Sequence, residues 1–127
     1  MHQADVVELS DRVRLLHLPG GPAAKLAKSL IDVHIDEFST HLALLEPYDV
    51  LHSHHWMSGV AALPVARGWG VPHLQSFHSV AALPGSALSE GEPPESPARV
   101  PGERLVATGS DLVVAISAAE ARTVVER

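Results

Sequence analysis

The sequence DVLHSHHWMSG, from Asp49 to Gly59, decides the fold because it joins a strand pattern directly to the start of a helix. The apolar residues near its beginning are typical of a short buried strand, and Trp56 begins an apolar pattern with helical spacing. Three histidines lie at the junction: His52, His54 and His55. The sequence therefore places ionisable side chains where a strand ends, and the question is whether they bind a metal, contact a ligand or only pack within the fold.

Strand and helix patterns alternate from this stretch to the end of the chain. We predict strands over residues 48–54, 71–79 and 111–117, and helices over residues 56–70, 102–110 and 118–127. Ser117 is well placed to cap the last of these helices. Because the three strands are near-continuous apolar runs, they favour an α/β fold with a Rossmann-like parallel sheet and helices on both faces.

The N-terminal part of the chain has shorter patterns. Val6 to Leu9 and Val13 to Leu18 are predicted to be short strands. Apolar residues then recur at helical spacing from Ala23 to Leu45, which predicts an amphipathic helix with a break near Asp32. Further along, residues 80–103 are rich in Pro, Gly, Ser and Glu and are predicted to form a loop, and loops of this length are usually functional or mobile.

Composition argues against several classes of function. The chain has 127 residues, enough for one domain with a core. Its net charge of −6 argues against binding to nucleic acid, which needs clustered Lys and Arg, and the absence of cysteine excludes disulfides and thiolate metal sites. Neither a membrane-spanning apolar run nor a basic leader followed by an apolar stretch is present, so we expect a cytoplasmic protein.

Polar side chains gather at the carboxyl ends of the predicted strands, where an open parallel sheet binds its ligands. They are His52, Ser53, His54 and His55 after the first strand, Ser76, His78 and Ser79 after the second, and Ser117 after the third.

The sequence pattern alone leaves three interpretations of these histidines open. His52, His54 and His78 could form a three-nitrogen zinc site. His52 and His54 could instead be buried and hydrogen-bonded to the backbone, or the imidazoles and hydroxyls could bind a sugar in a cleft.

Three blocks of this sequence resemble a known family. They are DVLHSHHWMSG at 49–59, HLQSFHS at 73–79, and the Pro-rich segment that leads to Arg99 and then to Glu103. Their order and spacing resemble the N-terminal domain of retaining GT-B glycosyltransferases of the group 1, family 4 type, in the branch of the mycothiol-pathway inositol-phosphate enzymes and the sucrose-phosphate synthases. The resemblance implies transfer of a hexose from a nucleotide diphosphate sugar to a polar or phosphorylated acceptor, without a metal or other cofactor.

The resemblance implies roles for five residues. His78 matches a catalytic histidine that hydrogen-bonds the donor sugar beside the reacting carbon. Ser79 matches an acceptor contact that is often threonine, and Arg99 and Lys28 match groups that hold the acceptor phosphate. Charge-assisted bonds to phosphate are strong, although a solvated helix face is the competing interpretation for Lys28. His55 stands where the branch has a tyrosine that contacts the acceptor, which leaves the identity of the acceptor open.

Trp56 and Glu103 have structural interpretations. A large aromatic residue that opens a helix usually packs inward, so Trp56 is predicted to lie in the core rather than to stack on a sugar. Glu103 is predicted to order its loop and helix through a salt bridge rather than to act as a base. Neither residue is therefore a candidate ligand contact.

The resemblance also implies that residues 1–127 are a partial N-terminal domain. Complete members of the family begin with a strand followed by a Gly-rich loop, and they carry a second domain that binds the nucleotide-sugar. Neither pattern occurs in this sequence, so we expect the isolated chain to be inactive. The alternative is a non-catalytic binding module whose exposed sheet edge favours assembly into a homo-oligomer.

Overall fold

The computed structural model describes residues 5–81 and 96–126 and contains two sheets. The strands are β1 (Val6–Ser10), β2 (Val13–Leu16), β3 (Leu51–His54), β4 (His73–Ser76) and β5 (Leu112–Val113), and the α-helices are α1 (Ile35–Ala43), α2 (Trp56–Trp69), α3 (Arg99–Gly109) and α4 (Ala118–Glu126). β1 and β2 form an antiparallel pair, whereas β3, β4 and β5 form a parallel sheet in that order. The predicted α/β fold, a Rossmann-like parallel sheet flanked by helices, is confirmed.

The pairing of β3 with β4 determines which side chains share a face of the parallel sheet. Ser53 lies opposite Gln75, and His54 lies opposite Ser76. Because side chains alternate along a strand, one face carries Ser53 and Gln75 and the other carries His54 and Ser76. The first face packs under α2 and α3, since a Cβ on Gly59 of α2 would collide with Gln75 and with Val106 of α3.

The segment before α1 differs from the single helix predicted over residues 23–45. Two 3₁₀ turns, Lys28–Leu30 and Asp32–His34, precede α1, which begins only at Ile35. The predicted break near Asp32 is thus correct, but the predicted helix start at Ala23 is wrong. Ile, Asp, Val and His all have modest helix propensity, so the stretch around Asp32 gains little from continuing a regular helix.

The core lies between α2, α3 and the end of β4. Trp56, Phe77 and Val106 form its buried cluster, and Trp56 is only 5% exposed, which confirms that this residue packs inward. Gly102 of α3 makes this packing possible, because a Cβ there would come within 2.6 Å of the Trp56 ring. At the other end of α2, Gly70 ends the helix in the left-handed conformation, with a φ of 69°.

The C-terminal elements depart from prediction in two places. α3 begins at Arg99, earlier than the predicted residue 102, so Arg99 lies inside the helix. β5 is predicted to be a buried strand over residues 111–117, but it is two residues long and Leu112 is 55% exposed. α4 begins as predicted, because the Ser117 hydroxyl accepts a hydrogen bond from the Glu120 N–H at 3.1 Å.

Residues 82–95 of the predicted loop lie outside the described residues. Among the helices of the described ranges, none has both the length and the apolar character needed to cross a membrane.

Candidate functional site at the carboxyl ends of β3 and β4

Two turns with unusual backbone geometry follow β3 and β4. His55 and His78 have φ values of 68° and 65°, in the left-handed region that non-glycine residues rarely adopt. Such a conformation costs about 1–3 kcal/mol and persists only when surrounding contacts fix it. At His55 those contacts are visible: its N–H donates to the Ser76 carbonyl at 2.8 Å, and its carbonyl accepts from the Gln75 amide at 2.9 Å. The fold therefore holds the first turn rigidly.

Four exposed imidazoles meet at these turns, and we call His52, His54, His55 and His78 the imidazole cluster. The Nδ1 atom of His54 lies 2.7 Å from the Nε2 atom of His78, a short hydrogen bond. The ring of His78 also stacks near His54 at a centroid distance of 5.0 Å and lies 5.1 Å from His55. His52 lies beside His54 at 4.3 Å, with its Nε2 atom 2.9 Å from the Ser76 hydroxyl oxygen. The cluster is thus one connected group of rings.

The environment of His54 favours the neutral form of this ring. Desolvation, followed by electrostatic repulsion from His52, His78 and His55, lowers the pKa of His54 below its usual value. Neutral imidazoles have one donor and one acceptor nitrogen, which suits directional hydrogen bonds to hydroxyl groups. This chemistry fits a polar uncharged ligand such as a sugar.

A buried ion pair lies beside the cluster. The Arg99 Nη2 atom donates to the Ser79 hydroxyl at 3.1 Å, and the Arg99 Nε atom lies 3.3 Å from a Glu103 carboxylate oxygen. Glu103 also accepts hydrogen bonds from the Ala81 N–H at 2.9 and 3.1 Å. The carboxylate therefore links α3 to the segment after β4 by hydrogen bonds. This confirms the prediction that Glu103 orders its loop and helix through a salt bridge.

The structure brings together four of the five predicted site residues. His55 and His78 share the imidazole cluster, and Ser79, which follows His78, contacts Arg99. Lys28 lies on the exposed 3₁₀ turn Lys28–Leu30, before α1, and the contacts that join the other four residues do not include it.

The two competing interpretations of the strand histidines receive no support. Among the described residues, no group of three His, Cys, Asp or Glu side chains is arranged to hold a metal ion. His52 turns its Nε2 atom to Ser76 while His54 and His78 face each other, so the three rings do not converge on one point. The interpretation that His52 and His54 are buried is wrong, because both side chains are exposed.

A buried network on the opposite face was missed by sequence reasoning. The Ser53 hydroxyl donates to the Gln75 Oε1 atom and lies 2.6 Å from the His73 Nε2 atom. Since the one hydroxyl proton points to Gln75, His73 must donate its Nε2–H to Ser53, and its Nδ1 atom then has no hydrogen-bond partner within the described ranges. Burial lowers the pKa of His73. Alternation along β4 places His73 and Gln75 on one face, but the register of β3 against β4 is needed to add Ser53 to that face.

An apolar groove of about 190 Å³ lies near the first turn of α2. Its lining residues are Gly20, Ile31, His34, Ile35, Phe38, Met57, Ser58 and Ala61. Because this lining is largely apolar, the groove is chemically unlike the polar cluster at the strand ends.

Comparison with known proteins identifies the family. Residues 2–127 match the family model described as a glycosyl transferase 4-like domain. The chain belongs to this family. The resemblance inferred from the three sequence blocks is therefore confirmed.

Two curated relatives carry the name D-inositol 3-phosphate glycosyltransferase. The protein from Nocardiopsis dassonvillei is 38% identical over 123 residues, which cover 92% of this glycosyl transferase 4-like domain and 29% of the relative. The protein from Streptomyces griseus is 38% identical over 125 residues, which cover 93% of this chain and 26% of the relative. The chain thus spans less than a third of the length of either relative.

A solved structure supports the fold of this glycosyl transferase 4-like domain. The sucrose-phosphate synthase from Thermosynechococcus elongatus superposes with a TM-score of 0.82 at 20% sequence identity. The match covers 98% of this chain and 32% of the synthase.

Proposed function

We propose that this domain is part of an enzyme that transfers a hexose from a nucleotide diphosphate sugar to a hydroxyl of a small phosphorylated acceptor, with retention at the anomeric carbon. The relatives' names suggest an inositol phosphate as the acceptor class. The observation that carries the proposal is the contact between Arg99 and Ser79 directly beside His78. It places a cation and a hydroxyl next to a histidine that can contact a sugar.

Arg99 is the residue that would hold the acceptor phosphate. Its guanidinium is buried and pairs with buried Glu103, so the orientation of the group is set before any ligand binds. Arginine binds phosphate through strong charge-assisted hydrogen bonds, and a fixed guanidinium loses less entropy on binding than a mobile one. Ser79 adds a hydroxyl at the same place. In this proposal His55 and Lys28 supply further acceptor contacts.

His78 would contact the donor sugar. An imidazole that is hydrogen-bonded to His54 at the end of β4 can make a directional hydrogen bond to a sugar hydroxyl, and positioning of this kind contributes to catalysis by fixing the reacting groups. Most contacts to the nucleotide diphosphate would come from a second domain. The proposal requires no metal or other cofactor, and a cytoplasmic location stays a prediction.

The role of Arg99 can be tested by substitution in the protein as its gene encodes it. We expect Arg99→Gln to raise the KM for an inositol phosphate by about 10- to 100-fold, since a hydrogen bond to a charged group contributes about 1.5–3 kcal/mol. The matched control is Arg104→Gln, which removes an exposed arginine from the same helix. Steady-state transfer assays with a range of nucleotide sugars give the KM, and NMR of the product gives its anomeric configuration.

Two results would count against the proposal. An equal rise in KM for both variants would show that Arg99 has no special contact with the acceptor. Inversion of the anomeric configuration in the product would contradict retention.

A binding or self-associating module is the second candidate function. Its support is the exposed apolar surface on and beside the parallel sheet, where Val50, Leu112 and Val114 are 47%, 55% and 40% exposed. Such a surface often marks a protein interface. Sedimentation equilibrium tests this candidate, because a protein that stays monomeric at every concentration would exclude self-association.

A further inference from the structure

The hydrogen bond between His54 and His78 restricts the protonation of both rings. The Nδ1 atom of His54 lies 2.7 Å from the Nε2 atom of His78. Within the part of the chain that the structure describes, no other residue hydrogen-bonds either ring. A bond between two imidazole nitrogens needs one proton between them, so one nitrogen donates and the other accepts.

Only two neutral arrangements satisfy this requirement. If the His78 Nε2–H donates, the His54 Nδ1 atom is unprotonated and both rings are Nε2–H tautomers. If the His54 Nδ1–H donates, both rings must be Nδ1–H tautomers. The Nε2–H form is intrinsically the more stable tautomer of the histidine side chain in water. The first arrangement puts both rings in that form, so it is the favoured one.

This arrangement determines which group His78 presents to a ligand. With Nε2–H directed at His54, the free nitrogen of His78 is an unprotonated Nδ1 atom, which accepts hydrogen bonds. The stack against His54 at 5.0 Å and the contact with His55 at 5.1 Å also restrict rotation of the ring. Both the direction and the polarity of the His78 contact are therefore set by its neighbours.

We propose that His54 is a positioning residue that holds His78 as the Nε2–H tautomer, so that the His78 Nδ1 atom accepts a hydrogen bond from a hydroxyl of the donor sugar. The sugar part of this inference rests on the proposed function, whereas the tautomer part does not. A donor analogue whose hydroxyl at the contacting position is replaced by hydrogen or fluorine would lose the interaction, because neither substituent can donate a proton. An analogue with a donating amine would keep it.

The tautomer can be measured directly with the protein as its gene encodes it, labelled with ¹⁵N-histidine. Long-range ¹H–¹⁵N correlation spectra distinguish protonated from unprotonated ring nitrogens for each histidine. At a pH above 8 we expect His78 to show a protonated Nε2 and an unprotonated Nδ1. A protonated Nδ1 on His78, or the averaged shifts of a freely exchanging ring, would overturn the inference.

Two substitutions of His54 separate positioning from a general structural role. His54→Asn keeps an acceptor oxygen close to the position of Nδ1, and we expect it to retain the tautomer of His78. His54→Leu removes the acceptor, and we expect averaged tautomer shifts for His78 and a KM for the donor that rises about 10-fold, the equivalent of one hydrogen bond. The matched control is His41→Leu, which removes a histidine of α1 that lies outside the imidazole cluster.

The two readouts distinguish failure of this inference from failure of the proposed function. If His54→Leu leaves the tautomer of His78 unchanged, the positioning role is wrong whatever the enzyme does. If the tautomer depends on His54 as expected but neither His54→Leu nor His78→Ala affects sugar transfer, the positioning of His78 is correct and its proposed contact with the donor is wrong.

Discussion

The two faces of β3 and β4 carry the same kinds of residue in opposite environments. On the buried face, Ser53, His73 and Gln75 form a directed network that ends on the carbonyl of His55. On the exposed face, His52 and His54 contact other rings and the Ser76 hydroxyl. The strand alternation thus separates a histidine that stabilises the site from histidines that can meet a ligand. Exposure and hydrogen-bond partners, rather than residue type, distinguish the two roles.

The buried face also supports the exposed one. The amide of Gln75 donates to the carbonyls of both His55 and Ser76, at 2.9 and 3.3 Å. These carbonyls lie at the ends of the two strands, where the site residues begin. We therefore expect substitutions on the buried face to lower stability and those on the exposed face to change ligand contacts.

The largest effect on stability is expected for Gln75→Leu. This change removes the Gln75 acceptor of the buried Ser53 hydroxyl and one of the two donors to the His55 carbonyl, which keeps the Gly59 N–H. Loss of a partner by a buried polar group costs about 1–3 kcal/mol. We expect the free energy of unfolding to fall by at least about 2 kcal/mol in urea titrations. His54→Leu is the exposed-face comparison and should change it by less than about 0.5 kcal/mol. Equal losses for the two variants would remove the distinction between the faces.

A smaller effect is expected from pH. Burial lowers the pKa of His73 in the folded protein, so the unfolded chain binds more protons between the lowered value and the ordinary value of about 6.5. The His73 contribution is fully present above the ordinary pKa and is lost as the pH falls towards the lowered one. Urea titrations between pH 8 and pH 5 should show this loss.

The variant His73→Gln is the control for the pH dependence of the free energy of unfolding. This variant cannot take up the proton at residue 73, so its stability should fall less steeply with decreasing pH than that of the parent protein. Parallel curves for the two proteins would show that the protonation of His73 is not linked to unfolding.

The sequence was sufficient to predict the order of strands and helices, the parallel sheet and the inward packing of Trp56. These features follow from apolar runs and from helix signals such as Ser117, which act over a few residues. The same local rules failed before α1, where weak helix formers around Asp32 give two 3₁₀ turns instead of a regular helix. They also failed at β5, where Leu112 is exposed because burial depends on what covers the strand.

The site was predicted in part. Family resemblance pointed to His55, His78, Ser79 and Arg99, and the structure brings these four together. The hydrogen bond between His54 and His78 could not be predicted from the sequence, because it depends on the β3–β4 register and on the left-handed turn at His78. The buried network was missed for a similar reason: a polar residue in an apolar run does not reveal which face it occupies until the strands are paired.

The most direct test of the central claim is the rate of sugar transfer by the encoded protein with His78→Ala, measured beside His41→Ala. His41 is a half-buried histidine on α1 outside the imidazole cluster, where its Nδ1 atom contacts the Glu37 carbonyl, so its loss should leave transfer unchanged. We expect His78→Ala to lower kcat/KM by about 100-fold, the scale of losing a positioned polar contact in a transition state. Equal kcat/KM values for the two variants would contradict the assignment of the strand-end imidazoles to the sugar site.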